Sequence, residues 1–344
     1  MILITGNTGY IGTVMTKFLQ EHSYKVVGID YNYYEGCDLY PSNIRPFKQI
    51  VKDIKDISER DLEGVTAIIH LAALSNDPLG EINPSLTREI NYVASVKLAK
   101  LAKRLGIERF IFSSSCSLYG IAPDNKPLTE EGRLNPITAY AKAKVEAEKG
   151  ISELADDNFH PVFMRNATVY GISPRLRLDL VVNNLVAWAY LTGEIAIMSD
   201  GTPWRPIIHI EDLCKAFLAA LEAPVEKIHN QVFNVGINKE NYQVRDIAKH
   251  VEEIVPKSHV KILNKTGPDE RTYRVDFTKI KKTLPQFKPT WNLKKGIEEL
   301  YQAYKDFGLT QKDLESPKYF RVRWIKYLVE SQKLDYNLRW LKNG

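Results

Sequence analysis

Two short stretches of the chain carry side chains suited to hydride chemistry on an alcohol. Residues 112–120 read FSSSCSLYG, a strand running out into consecutive hydroxyls, and AYAKAK (139–144) sets Tyr140 and Lys144 four residues apart. The Ala-rich surroundings predict a firm helix, so phenol and ammonium share one face. A phenol with an ordinary pKa of ~10 is a poor base at neutral pH. A neighbouring cation favours the phenolate, which can take an alcohol proton as hydride leaves the same carbon. A Ser hydroxyl at the strand end would hold the same oxygen. Tyr-x-x-x-Lys alone is common on helix surfaces and acquires meaning only beside a hydride acceptor.

A site for such an acceptor is written at the start of the chain. TGNTGYIG (5–12) follows the first apolar strand and opens the next helix, with Gly6, Gly9 and Gly12 spaced three apart. Glycines permit a tight turn and close backbone approach to a pyrophosphate, and the helix N-terminus adds partial positive charge. The following strand ends in Asp30, eighteen residues past Gly12. A carboxylate there accepts from ribose hydroxyls and repels a 2′-phosphate, which predicts NAD rather than NADP. Asp53, in VKDIKD (51–56), is a further candidate that would reach toward the adenine.

These residues need elements to hold them. ILIT (2–5), a helix from about Tyr10 to Glu21, KVVGID (25–30), AIIHLAA (67–73), a long helix around 84–105, RFIFSS (109–114) and a helix around 138–155 alternate through the first half. Short, nearly continuous apolar strands separated by helices predict an α/β fold: a Rossmann-like, doubly wound parallel sheet covered on both faces. PVFMRNATVYG (161–171) and QVFNVG (231–236) read as later sheet strands. The less regular segments 174–200, 242–275 and 285–344 read as a smaller, discontinuous C-terminal substrate-binding lobe. The expected division gives 1–171 plus about 204–236 to the cofactor. About 172–203 and 237–344, with a C-terminal helical tail, go to the substrate.

Composition sets the outer limits. At 344 residues, 44% apolar and 26% charged, the chain is ordinary for a globular protein. No apolar run nears the ~20 residues of a membrane span, and MILITG reads as a strand rather than a leader. Cys37, Cys116 and Cys214 are too scattered for a disulfide framework or metal site, so no metal and a cytoplasmic location are expected. Much of the net charge of +5 lies after Thr310, where eight Lys/Arg meet four Asp/Glu. Phe320, Trp324, Ile325, Tyr327 and Leu328 recur there at helical spacing. That favours a helix docked on its own domain or on a second subunit over a nucleic-acid patch.

Taken in order, TGNTGYIG, Asp30, HLAAL (70–74), FSSSCSLYG and the Tyr140/Lys144 pair resemble the extended short-chain dehydrogenase/reductase family over about residues 1–300. These are the NAD-dependent epimerases and dehydratases of sugar nucleotides. The resemblance implies Ser115 as the catalytic serine, with Ser114 its register alternative, Tyr140 as the base and Lys144 as its electrostatic partner. It implies cofactor contacts at Gly6, Asn7, Gly9, Tyr10, Ile11, Gly12, Asp30, Asp53, Ile54, Leu71, Ala72, Ala73, Asn91, Ser113, Tyr140 and Lys144. A homodimer built on the helices around 84–105 and 138–155 is implied as well. Family 4,6-dehydratases carry an Asp-Glu pair directly after the catalytic hydroxyl, because hydroxide leaves only with a proton donor. Cys116 and Ser117 stand there in this chain, Cys116 reading as a small packed residue. Dehydration is disfavoured, and simple hydride exchange at a sugar carbon remains.

At the substrate end the resemblance nominates Ser115, Ser117 and Tyr140. It adds Asn166, Thr168, Arg175 and Arg177 from RNATVYGISPRLRLDLVVNN (165–184), Thr168 standing where the family usually has Asn. DGTPWRPIIHIEDLCKAF (200–217) contributes Arg205 and GPDERTYRVD (267–276) contributes Arg271. Guanidiniums from separate segments suit a diphosphate. Asp212 reads as a helix-start residue, and His70 and His209 as packed histidines. The expected activity is NAD-dependent epimerisation of a nucleotide-diphosphate sugar at C4 through a 4-keto intermediate, with no nucleic-acid or membrane partner. A C4 reductase or dehydrogenase using the same site is the alternative, and a non-catalytic dinucleotide sensor a third.

Overall fold

A computed structural model describes residues 1–45, 47–75, 77–122, 126–264 and 271–341. The strands are β1 (Ile2–Thr5), β2 (Val26–Asp30), β3 (Lys48–Val51), β4 (Ala67–His70), β5 (Arg109–Ser115), β6 (His160–Asn166), β7 (Thr168–Tyr170), β8 (Glu194–Ile197), β9 (Trp204–His209), β10 (Gln231–Val235), β11 (Asn241–Gln243) and β12 (His259–Ile262). The helices begin with α1 (Tyr10–Glu21), α2 (Asp77–Gly80), α3 (Pro84–Arg88), α4 (Ala94–Arg104), α5 (Ala139–Ser152) and α6 (Val181–Thr192). They continue with α7 (Ile210–Glu222), α8 (Val225–Ile228), α9 (Val244–Ile254), α10 (Thr278–Thr283), α11 (Leu293–Asp306), α12 (Gln311–Glu315) and α13 (Arg321–Glu330).

Seven strands, each pairing in parallel with its neighbours, form the central sheet in the order β10-β6-β5-β4-β1-β2-β3. Side chains alternate between its faces. Ile2, Ile4 and Ile111 pack with Met15 of α1 and Phe217 of α7. Leu3, Phe110 and Phe112 pack with Leu98 of α4 and Ile151 of α5. With both faces covered, the strands need no polar side, which is why they read as unbroken apolar runs. Chain order reverses between β1 and β4. Such a switch point leaves a crevice at the carboxyl ends of the strands.

The expected long helix around 84–105 is three consecutive pieces. Asn83 caps α3 by accepting from Leu86 N at 3.0 Å, Pro84 occupies its first turn, and a π turn (Glu89–Val93) joins it to α4. A second, smaller sheet runs β11-β9-β7, and β12 pairs with β8. Trp204–His209, placed with the cofactor half, runs in this smaller sheet between β7 and β11. A separate core of Tyr170, Leu185, Ile247 and Leu300 holds α6, α9 and α11 together. The tail is a correction. Ile325, Leu328, Leu334 and Leu338 join the core beneath β1, β2 and β5 rather than the smaller lobe.

Candidate active site

Two adjoining cavities open at the crevice, one of about 120 Å³ along the glycine loop and one of about 510 Å³ around Tyr140. Tyr10, Ile11, Leu71, Ala73, Ser75 and Arg177 line both. The first is built on backbone. Gly6 adopts φ +73°, its N–H donates to Ile29 O at 2.8 Å, and a Cβ there would stand 2.8 Å from Ala72 N. A Cβ on Gly12 would stand 2.1 Å from Gly6 O. The loop therefore folds tightly on itself and against the segment after β4. No side chain caps α1, so its first-turn N–H groups are left for another acceptor. Asp30 accepts from Thr8 N at 3.0 Å and from Asn32 N at 2.9 Å. Its carboxylate lines the cavity with acceptor capacity to spare. A side-chain-free cradle, a helix N-terminus and a fixed carboxylate fit a dinucleotide: diphosphate on the loop, ribose at Asp30.

Gly6, Gly9, Tyr10, Ile11, Gly12, Asp30, Asp53, Ile54, Leu71, Ala72 and Ala73 all line this cavity. Asp53 also caps the turn after β3, accepting from Lys55 N at 2.9 Å, while its Oδ2 lies 3.1 Å from Arg339 Nη1. Two expected contacts are corrected. Asn7 turns its side chain beneath the loop, donating to Gln49 Oε1 at 2.6 Å in space that Gly28 leaves open. Asn91 is fully buried and lines neither cavity. It accepts from Leu74 N at 2.8 Å and donates to Leu74 O at 3.1 Å, fastening the segment that does line it.

Ser113, Ser115, Ser117, Tyr140, Lys144, Asn166, Thr168, Arg177, Arg205 and Arg271 line the second cavity. Thr138 caps α5 by accepting from Ala141 N at 3.2 Å, which fixes the helix that carries Tyr140 and Lys144. Ser115 Oγ accepts from Ser117 N at 3.1 Å and lowers the Tyr140 phenol against the effect of burial. Ser114, the register alternative, lines this cavity too, with its Oγ donating to Glu148 Oε1 at 2.5 Å. Glu148 is held by Arg165, with Nε–Oε1 3.0 Å and Nη2–Oε2 2.7 Å.

Lys144 Nζ donates to Ser113 O at 2.7 Å and lies 6.0 Å from the Tyr140 ring centroid. Burial pushes its ammonium down to about 7, against the pull of Glu148. Burial and the Asp77 carboxylate hold the Tyr140 phenol above its ordinary range, opposed by Ser115, Arg177 and Arg271.

Cys116 donates to Arg165 O at 3.1 Å and does not line the cavity. The carboxylates that line it among the described residues are Asp77, paired with Arg271, and Asp179, paired with Arg177. Ser117 Oγ and Asn166 Oδ1 are buried without a hydrogen-bond partner and line the cavity. Both point to a ligand with hydroxyl groups. Arg175 is corrected: it pairs with Asp38 at 3.3 Å and with Tyr34 O, and lines neither cavity. Residues 267–270 of the GPDERTYRVD element lie outside the described residues.

His70 is wedged between Thr5 Oγ1 (2.6 Å) and Ser95 Oγ (2.8 Å), His209 stacks on Trp291, and Asp212 accepts from Thr290 N and Trp291 N. All three are structural. Sequence reasoning missed Tyr31, Tyr33, Tyr34 and Arg321 in the first cavity and Phe320, Val322 and Arg323 in the second. The helical spacing of the tail was the available signal, since Arg321 stands four residues before Ile325 on the same face.

A profile of the NAD dependent epimerase/dehydratase family matches residues 2–236. The UDP-glucuronate 4-epimerase of Thermodesulfobacterium geofontis is 26% identical over 325 residues, spanning 88% of this chain and 96% of that one. UDP-glucuronic acid decarboxylase 6 of Arabidopsis thaliana is 26% identical over 319 residues, spanning 88% of each. The crystal structure of UDP-glucuronic acid 4-epimerase from Bacillus cereus, in complex with UDP-glucuronic acid and NAD, matches with a TM-score of 0.74 at 26% identity. That match covers 89% of this chain and 99% of the other.

Proposed function

The chain belongs to the NAD-dependent epimerase/dehydratase family, and from that premise we propose that it epimerises a nucleotide-diphosphate sugar at C4 through a 4-keto intermediate. When bound along the glycine loop, NAD supplies the hydride acceptor and then the donor, and in its oxidised form a positive charge near the phenol. Tyr140 Oη removes the C4 hydroxyl proton and returns it after the sugar has turned its other face. Ser115, which lines the same cavity and favours the phenolate, positions that oxygen. Arg177, Arg205 and Arg271, which line the cavity, hold the diphosphate. Ser117 and Asn166 offer the sugar their unpartnered oxygens.

One observation carries this reading. Ser115, Tyr140 and Lys144 open on one cavity whose lining carboxylates, among the described residues, are both paired to arginine, while the thiol after Ser115 faces away. Elimination lacks its proton donor there; hydride exchange does not need one. The sheet half carries the cofactor and the smaller lobe the sugar nucleotide. We place a homodimer contact on α3, α4 and α5, where Val93 is exposed beside Tyr92 and Val96. The free, buried cysteines fit a reducing cytoplasm. The test is Tyr140→Phe on a panel of UDP-sugars. Turnover should fall by about 10²–10⁴, with UDP-sugar and NAD+ affinities unchanged. A variant that turns over at the wild-type rate contradicts the assignment.

A further inference from the structure

Arg321 heads α13, on the face that buries Ile325 and Leu328. It is 1% exposed, and burial pushes its guanidinium down to about 10. The guanidinium carbon lies 3.8 Å from the Tyr34 ring centroid and Nη2 donates to Arg175 O at 3.3 Å, but Nη1 has no hydrogen-bond partner. Arg177 repels it and Asp179 attracts it. Arg177 already holds Asp179, Nε to Oδ1 at 3.0 Å and Nη2 to Oδ2 at 2.9 Å. Two guanidiniums and one carboxylate leave a positive surplus out of water, which is costly unless an anion answers it. Arg321 and Arg177 line the cavity of Gly6, Gly9, Gly12 and Asp30.

We propose that Arg321 is a ligand of the dinucleotide's diphosphate, so that the C-terminal segment completes the cofactor site and holds the cofactor through successive turnovers. The proposal rests on the NAD-dependent reading above. The dinucleotide is favoured over the substrate diphosphate because Arg321 lines the glycine-loop cavity and not the one around Tyr140. The segment is clasped to the loop after β2. Trp324 Nε1 donates to Tyr33 O at 2.7 Å, Trp340 Nε1 to Tyr31 O at 2.8 Å, and Tyr33 Oη to Leu338 O at 2.8 Å. Arg339 ties its far end to Asp53 and Asp56.

The experiment strips the full-length protein of cofactor and titrates NAD+, adenosine and UDP-glucuronic acid into wild type and Arg321→Met by calorimetry. The NAD+ dissociation constant should rise about tenfold or more, as for loss of charged hydrogen bonds. Adenosine and UDP-glucuronic acid should bind as before. Unchanged NAD+ affinity overturns the proposal. So does a loss confined to UDP-glucuronic acid, which would assign Arg321 to the substrate diphosphate. If Arg321→Met fails to fold by circular dichroism, Arg321→Gln, which keeps a donor for Arg175 O, is read by the same criteria. Failure of the epimerase reading shows separately: Arg321-dependent NAD+ binding in a protein that epimerises no sugar nucleotide leaves this proposal standing.

Discussion

The glycine loop and the C-terminal segment line one cavity and are built in opposite ways. The loop, with Asp30, comes from a single strand–helix–strand unit and offers backbone N–H groups and missing side chains. The other wall gathers Tyr31, Tyr33 and Tyr34 after β2, Arg177 before α6 and Arg321 at the head of α13. It offers rings and guanidiniums, held by tryptophan N–H bonds to the backbone. Backbone against backbone has no soft member to give way. Long side chains on a docked segment can repack. The first wall should therefore tolerate almost no change, and the second should respond in proportion to what is removed.

Gly12→Ala is the sharpest test of the rigid wall. The new Cβ would sit 2.1 Å from Gly6 O and 2.5 Å from Asn7 Cα, both backbone. Destabilisation of about 1–3 kcal/mol or more in urea unfolding is expected, together with loss of NAD+ binding. Wild-type binding by this variant would break the contrast between the walls.

Lys144, which lines the cavity around Tyr140, comes next. Its ammonium is lowered to about 7 from 10.5 by burial, so between those pH values the unfolded chain binds more protons than the folded one. Stability from this group therefore rises with pH across the window, and the penalty is complete below about 7. Lys144→Met has no such dependence. Measured by denaturant unfolding, wild type should gain on the variant from pH 7 to 10; a constant difference would show that the buried amine does not titrate there.

Arg339→Ala should matter least. Its side chain is 33% exposed and that of Asp56 52%, an exposed pair that contributes about 1 kcal/mol or less, and the buried Asp53 keeps Lys55 Nζ at 3.7 Å when Arg339 is removed. NAD+ should leave no more than about fivefold faster. A loss as large as that from Arg321→Met would show the segment to be one rigid wall rather than a latch with graded contacts.

What was legible in the sequence follows the same division. Gly6, Gly12, Asp30, Ser115, Tyr140 and Lys144 sit at strand ends or on one helix face, where local periodicity places them. Asn7, Asn91 and Arg175 misled because side-chain direction there is set by distant partners: Gln49, Leu74 and Asp38. Arg321 was missed because an arginine in a basic tail reads as solvated. Its spacing from Ile325 and Leu328 says otherwise, but only once the helix is known to dock.

The most direct measurement of the central claim is a product analysis. Wild-type protein with NAD+ is incubated with UDP-glucose and UDP-glucuronic acid in turn, the sugar nucleotides are separated by anion-exchange chromatography, and reduced nicotinamide is followed by its near-ultraviolet absorbance. The account predicts a C4 epimer approaching equilibrium with its substrate and no net reduced nicotinamide. Product formed mole for mole with reduced nicotinamide, or a product that has lost carbon dioxide, would contradict it.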